Sequence, residues 1–130
     1  MRIDVITLFP EVFGPLHSSI PARAQDKGLL ELHLHWLREF GAGPHHQVDD
    51  TPFGGGPGMV MTCGPIFDCL DTIPDSPERL VIYPTPQGKP FLQQDAIELA
   101  SQSHLVFICG HYEGVDQRVR DTLVDREYSI

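Results

Sequence analysis

The sequence predicts an α/β domain built on a mainly parallel sheet with helices on both faces. Residues 105–109 (Leu, Val, Phe, Ile, Cys) and 79–83 (Arg, Leu, Val, Ile, Tyr) are short, nearly uniform apolar runs. That is the pattern of strands buried on both faces, not of a half-solvated antiparallel sheet. Around them, apolar residues recur at helical spacing: Ile66, Phe67, Leu70 and Ile73, then Leu92, Ala96 and Leu99, then Val115, Val119 and Leu123. The resulting order of helix, strand, helix, strand, helix is that of units whose helical crossovers join parallel strands.

Taken in order, residues 2–8 are rich in β-branched side chains and alternate in part, which predicts a strand. Pro10 suits the first turn of a short helix reaching about Leu16. Ser18 or Ser19 caps a second helix, with Gly28 as its stop. Residues 29–37 alternate most clearly, with Leu30, Leu32, Leu34 and Trp36 on one side and Glu31, His33, His35 and Leu37 on a solvated other. From Arg38 to Gly58 no period is sustained, and so long an irregular stretch in a small domain points to function. A helix over 63–73 breaks at Pro74. The strand over 79–83 opens into a Pro- and Gly-rich turn over 84–90, a helix follows to about residue 100, and the run after His104 ends at Gly110. Residues 126–130 begin one more strand.

At 130 residues the chain fits one domain. Its net charge of −9 comes from 18 acidic against 9 basic residues, with no basic stripe. Phosphate binding normally rests on a basic excess, so either the chain does not bind nucleic acid or it holds only part of such a surface. Cys63, Cys69 and Cys109 are odd in number and include no Cys-x-x-Cys pair, which favours reduced thiols in a cytosolic setting. No apolar run approaches the roughly 18 residues of a membrane span.

Two stretches carry chemistry. The strand ending at Gly110 leads through His111, Tyr112, Glu113 and Gly114 into a helix, and ligands of open α/β sheets bind beyond the carboxyl ends of strands. A solvated strand–turn–helix tip explains the local pattern equally well. The tract 48–59 contains Gly54, Gly55, Gly56 and Gly58. It is neither a P-loop nor a dinucleotide fingerprint, but such backbone can cradle an anion. His45, His46, Asp49 and Asp50 match no structural zinc spacing, and no serine nucleophile elbow is present. The turn over 84–88 follows its strand as the turn after Gly110 follows its own, so the two are candidates for the walls of one pocket.

Five motifs together carry a family resemblance: residues 5–11; Gly28, Leu29 and Leu30; residues 48–59; Pro86, Gln87 and Gly88; and residues 109–116. In this order, and in one register from residue 1 to 130, they closely resemble the bacterial tRNA (guanine-37-N1)-methyltransferase family. The resemblance implies a trefoil-knotted, SPOUT-type α/β fold and a cytoplasmic homodimer with its site at the subunit interface. It implies S-adenosylmethionine as methyl donor and N1 of guanine 37 of tRNA, beside the anticodon, as acceptor. By motif, Pro84, Thr85 and Pro86 are expected to form one wall of the donor pocket, and Gly110, Tyr112, Glu113 and Ile130 the next. Arg23, Asp49, Asp50, Gly55, Gly56 and Gly58 are expected to face the tRNA. Glu113 is the auxiliary carboxylate near the cationic sulfur. A Mg2+ requirement is left open, with no residue here assignable to it.

The family's proteins run to nearly twice this length, adding a glycine-rich segment that closes the knot, a catalytic Asp and a C-terminal tRNA-binding domain. Residues 1–130 are thus expected to be an incomplete N-terminal donor-binding domain, inactive alone. The residues before Val48 also lack the Arg often found there in the family. Two alternatives stay open: a non-catalytic adenosyl-, nucleotide-binding or dimerisation module, and an unrelated α/β enzyme that uses the glycine loop for phosphate.

Overall fold

The computed structural model describes all residues from Met1 to Ile130. A five-stranded sheet is formed by β1 (Arg2–Thr7), β2 (Glu31–Trp36), β5 (Arg79–Pro90), β6 (His104–Ile108) and β7 (Arg126–Ser129), in the order β2-β1-β6-β5-β7. Every neighbouring pair is parallel. A separate antiparallel ribbon joins β3 (Asp49–Asp50) to β4 (Val60–Met61). The helices are α1 (Ser19–Asp26), α2 (Cys63–Asp71), α3 (Gln93–Ala100) and α4 (Gln117–Thr122).

Helices cover both faces, as the apolar strand runs require. On one face Ile66, Cys69 and Leu70 of α2 and Val119 of α4 pack with Ile6, Val81, Tyr83, Val106 and Ile108. On the other, Leu99 of α3 packs with Ile82, Leu105 and Tyr128. Cys69 fills the stripe more deeply than the predicted Phe67, which is only half-buried. Each buried aliphatic of this kind contributes about 1.5–3 kcal/mol relative to exposure.

Several elements differ from expectation for local reasons. Residues Pro10–His17 form a 3-10 rather than an α-helical stretch, with Pro15 inside it; proline removes a donor and clashes with the preceding turn. Ser18 stands at the N-cap of α1, but its hydroxyl donates to the Pro15 carbonyl (2.8 Å) and caps nothing. α4 starts at Gln117 because Asp116 caps it, its carboxylate accepting from the Arg118 N–H at 2.9 Å. The face of β2 read as solvated is partly engaged: His35 donates to Asp4 (2.7 Å), while His33 stays near Glu31 at the surface.

β5 is twelve residues long, not five. It pairs with β7 through Pro84, steps out over residues 85–88, and pairs again at Lys89 and Pro90. Past Ile82 it has no partner on the β6 side, so prolines enter where no ladder donor is needed.

The three thiols are free. Burial pushes the Cys69 thiol up to about 12 and Cys109 up to about 11, so little thiolate is present at pH 8. Iodoacetamide at pH 8 is expected to leave the buried Cys69 unlabelled in the native protein, to label the half-buried Cys109 far more slowly than a free thiol, and to label both in urea, read by mass spectrometry of peptides. Rapid native labelling of Cys69 would contradict its burial, and rapid labelling of Cys109 its raised pKa.

Candidate functional site

The chain reverses direction in the sheet at β6. From β5 to β6 it moves one place toward β1, whereas from β6 to β7 it passes back over β5. Ligands of open parallel sheets collect outside the carboxyl ends of strands at such a switch point. A cleft of about 350 Å³ lies there, within the size range of small-molecule sites.

Two chain segments form its walls. The first is Tyr83 to Gln87, at and beyond the point where β5 leaves β7; the second is Gly110 to Val115, after β6. Because β5 and β6 are hydrogen-bonded neighbours, the two turns are brought face to face. Pro84, Thr85, Pro86, Gly110, Tyr112 and Glu113, all read from the sequence, line this one cleft.

The walls touch through Tyr83 and Gly110. A Cβ on Gly110 would stand 3.0 Å from Tyr83 Cε2 and 3.1 Å from its hydroxyl, so glycine is what permits the approach. Burial holds the Tyr83 hydroxyl above its ordinary pKa, against opposing effects of Arg120 and Thr85, and it remains a neutral phenol. Tyr112 adopts φ +57°. A non-glycine residue in this region stores about 1–3 kcal/mol of strain, a cost concentrated at functional turns.

The glycine-rich loop is tied to the second wall. Glu113 N–H donates to the Met59 carbonyl (3.0 Å), Met61 N–H to Gly114 (2.9 Å) and Asp116 N–H to Met61 (2.8 Å). Gly58, at φ +83°, lies against the Glu113 side chain so closely that a Cβ there would collide with it. Asp49 and Asp50 pair opposite Met61 and Val60, which sets both acids on the ribbon leading into this contact. Gly55 and Gly56 are exposed with open space around them. Glu113 is also exposed, so its charge is screened by water.

Of the residues expected in the donor pocket, Ile130 is not at the cleft, and Arg23, expected on the tRNA side, lies away from it. Arg23 is exposed on α1 and does not line the cleft; Ile130, 96% exposed, stands past the end of β7 and does not reach it. Conversely, Gln87 and Arg120 line the cleft and were not singled out. Gln87 lay inside a motif already quoted, but Arg120 reads in sequence as an ordinary helix-surface arginine. The basic residues explain the absent basic stripe: Arg2, Arg79, Lys89, Arg118, Arg120 and Arg126 are each paired with a carboxylate.

A parallel sheet covered by helices on both faces, with a two-walled cleft at its switch point, defines a doubly covered α/β protein. Residues 1–130 match the family model described as tRNA (Guanine-1)-methyltransferase TrmD, and the chain belongs to that enzyme family. It is 52% identical over 130 residues to the tRNA (guanine-N(1)-)-methyltransferase of Macrococcus caseolyticus (strain JCSC5402), covering 100% of this chain and 54% of that protein. The correspondingly named proteins of Carboxydothermus hydrogenoformans (50% identity) and Desulforamulus reducens (51%) are likewise covered to 51% and 53% of their lengths by the whole of this chain. The chain spans about half the length of the curated relatives it matches.

Proposed function

We propose that residues 1–130 are the donor-binding domain of an S-adenosylmethionine-dependent enzyme that methylates N1 of guanine 37 in tRNA. The observation that carries this is the meeting of the 84–87 and 110–115 turns around one cleft, two motifs distant in sequence that the family reading assigns to one donor pocket. Glycine at 110, where any side chain would press on Tyr83, suits a ligand that packs against main chain. When bound, S-adenosylmethionine supplies an electrophilic methyl group on a cationic sulfur.

In this reading the chain's residues bind and orient. The proline-bounded 84–86 wall and the Gly110 turn fix the donor's position, and positioning is worth much of the barrier in a transfer between two bound partners. Glu113 offers a carboxylate at the cleft for the sulfonium. The Asp49–Gly58 loop, tethered to Glu113 through Met59, is where the target guanine would arrive after leaving its stack. Guanine N1 carries a proton that a base must take; the family's Asp has no matching position within residues 1–130. These residues alone are therefore expected to form no N1-methylguanine on tRNA. The knotted path, the homodimer with its site at the subunit interface, the cytoplasmic setting and Arg23 as a tRNA contact belong to the same proposal. No helix is long and apolar enough to cross a membrane.

Calorimetric titration of S-adenosylhomocysteine, the product form of the donor, tests the reading. The chain is expected to bind it, and Gly110→Val to weaken binding by at least about tenfold, roughly 1.4 kcal/mol. The native circular-dichroism spectrum should survive the substitution. No binding, or binding indifferent to Gly110→Val, would count against a donor site here.

A further inference from the structure

The bulge over residues 85–88 interrupts the β5–β7 register, so its outer part needs side-chain support. Within it, Gln87 N–H reaches Thr85 Oγ1 only at 3.4 Å. Its short side-chain hydrogen bond to the rest of the molecule comes from Arg120 Nη1, which donates to Gln87 Oε1 at 2.6 Å. Arg120 is itself fixed: Nε and Nη2 donate to the two oxygens of Glu127 on β7, at 2.7 and 2.8 Å. This fork geometry sets the guanidinium plane as well as its position. The guanidinium carbon also lies 5.9 Å from the centre of the Tyr83 ring, the ring against which Gly110 packs. Arg120 thus holds the first wall at both ends, through Gln87 and through Tyr83, the ring on which Gly110 of the second wall packs.

Arg120 is the one arginine or lysine lining the cleft, which would suit an anion-binding role. Glu127 already neutralises it, and its bonds run to the protein's own wall. We propose that Arg120 is a positioning residue, which holds the 85–88 wall in its ligand-ready shape through Gln87 and Tyr83. This rests on the donor-site reading. Its contribution to affinity is preorganisation, since a wall that is already ordered has less freedom to lose on binding. Lysine cannot substitute, because it lacks the planar fork that engages Glu127 and Gln87 together.

The test uses Arg120→Ala, Arg120→Lys, Gln87→Ala and the Arg120→Ala/Gln87→Ala double variant, with two readouts. In S-adenosylhomocysteine titration, Arg120→Ala and Gln87→Ala are each expected to weaken binding about tenfold, a cost of ordering one or two side chains. The double variant should be no weaker than Arg120→Ala, and Arg120→Lys should not rescue. In amide hydrogen exchange of the ligand-free protein, residues 85–88 should exchange about tenfold faster in Arg120→Ala while β1 amides are unchanged, as expected of a local opening. Affinity within about twofold of the unsubstituted protein, multiplying single effects in the double variant, or unchanged exchange at 85–88 would overturn the proposal. If the unsubstituted protein binds no S-adenosylhomocysteine, the donor reading fails by itself. The exchange readout then decides for or against the clamp.

Discussion

Asp4→Ala is expected to destabilise the domain by about 3–5 kcal/mol, the usual result of removing one partner from a buried ionic cluster. Asp4 is fully buried at the centre of the sheet's amino-terminal half. Its Oδ2 accepts from Arg2 Nε (2.8 Å) and His104 Nε2 (2.7 Å), and its Oδ1 from Arg2 Nη2 (3.0 Å) and His35 Nε2 (2.7 Å). An ionised carboxylate only accepts, so both rings carry their proton on Nε2. One side chain therefore stitches β1 to both neighbours, β2 and β6. Alanine would leave His104, 7% exposed at its side chain, with a buried donor and no acceptor, while the carboxylate's volume becomes a hole. Against the 5–15 kcal/mol typical of whole domains, such a loss is large. Urea denaturation measures it, and a change below about 1 kcal/mol would show that the cluster is not a stabilising one.

The same carboxylate sets an acid limit. Burial pushes its pKa up, but the hydrogen bonds from Arg2, His35 and His104, with the Arg2 charge, outweigh this and bring it down to about 2 from an ordinary 3.8. The unfolded chain therefore binds the proton more readily than the native one. The stabilisation from Asp4 is fully present above about pH 4 and is lost as pH falls toward 2. In urea midpoints measured from pH 6 to pH 2, the unsubstituted protein should lose stability in that window more steeply than Asp4→Asn. Parallel curves would refute the assignment.

Asp4 also marks where sequence reading stops. Its strand was legible from Ile3, Val5 and Ile6, but its histidine partners lie 31 and 100 residues away, and no local period reports such a meeting. The strand ending at Gly110 and the pairing of its turn with 84–87 were legible because uniformly apolar runs fix buried strands and glycine and proline fix their ends. The β3–β4 ribbon was not, since each strand is two residues long and their pairing spans the glycine loop. Arg120 escaped for the same reason as Asp4: its meaning comes from Glu127 and Gln87, which only the folded sheet brings to it.

Gly88→Ala is expected to be more damaging than any other single methyl added near the cleft. A Cβ at Gly88 would stand 2.6 Å from the Tyr128 backbone nitrogen and 2.7 Å from the Glu127 and Tyr128 carbonyl carbons. At Gly110 the neighbour is a side-chain ring that can tilt; here it is main chain within the parallel ladder, which cannot move without breaking pairing. The expected cost is at or above the upper end of the about 1–3 kcal/mol usual for overpacking. Gly88 is also where β5 returns to pair at Lys89 with Tyr128, so forcing β7 away would undo the second half of that ladder and release the base of the 85–88 wall. Tyr128, 2% exposed in the core beside Ile82, Leu99 and Leu105, would be pulled with it. Loss of S-adenosylhomocysteine binding should therefore accompany a lowered urea midpoint, with amide protection falling in β7 before β1. A Gly88→Ala protein that keeps its urea midpoint and its β7 protection would mean that the close approach of β5 to β7 is not required by the fold.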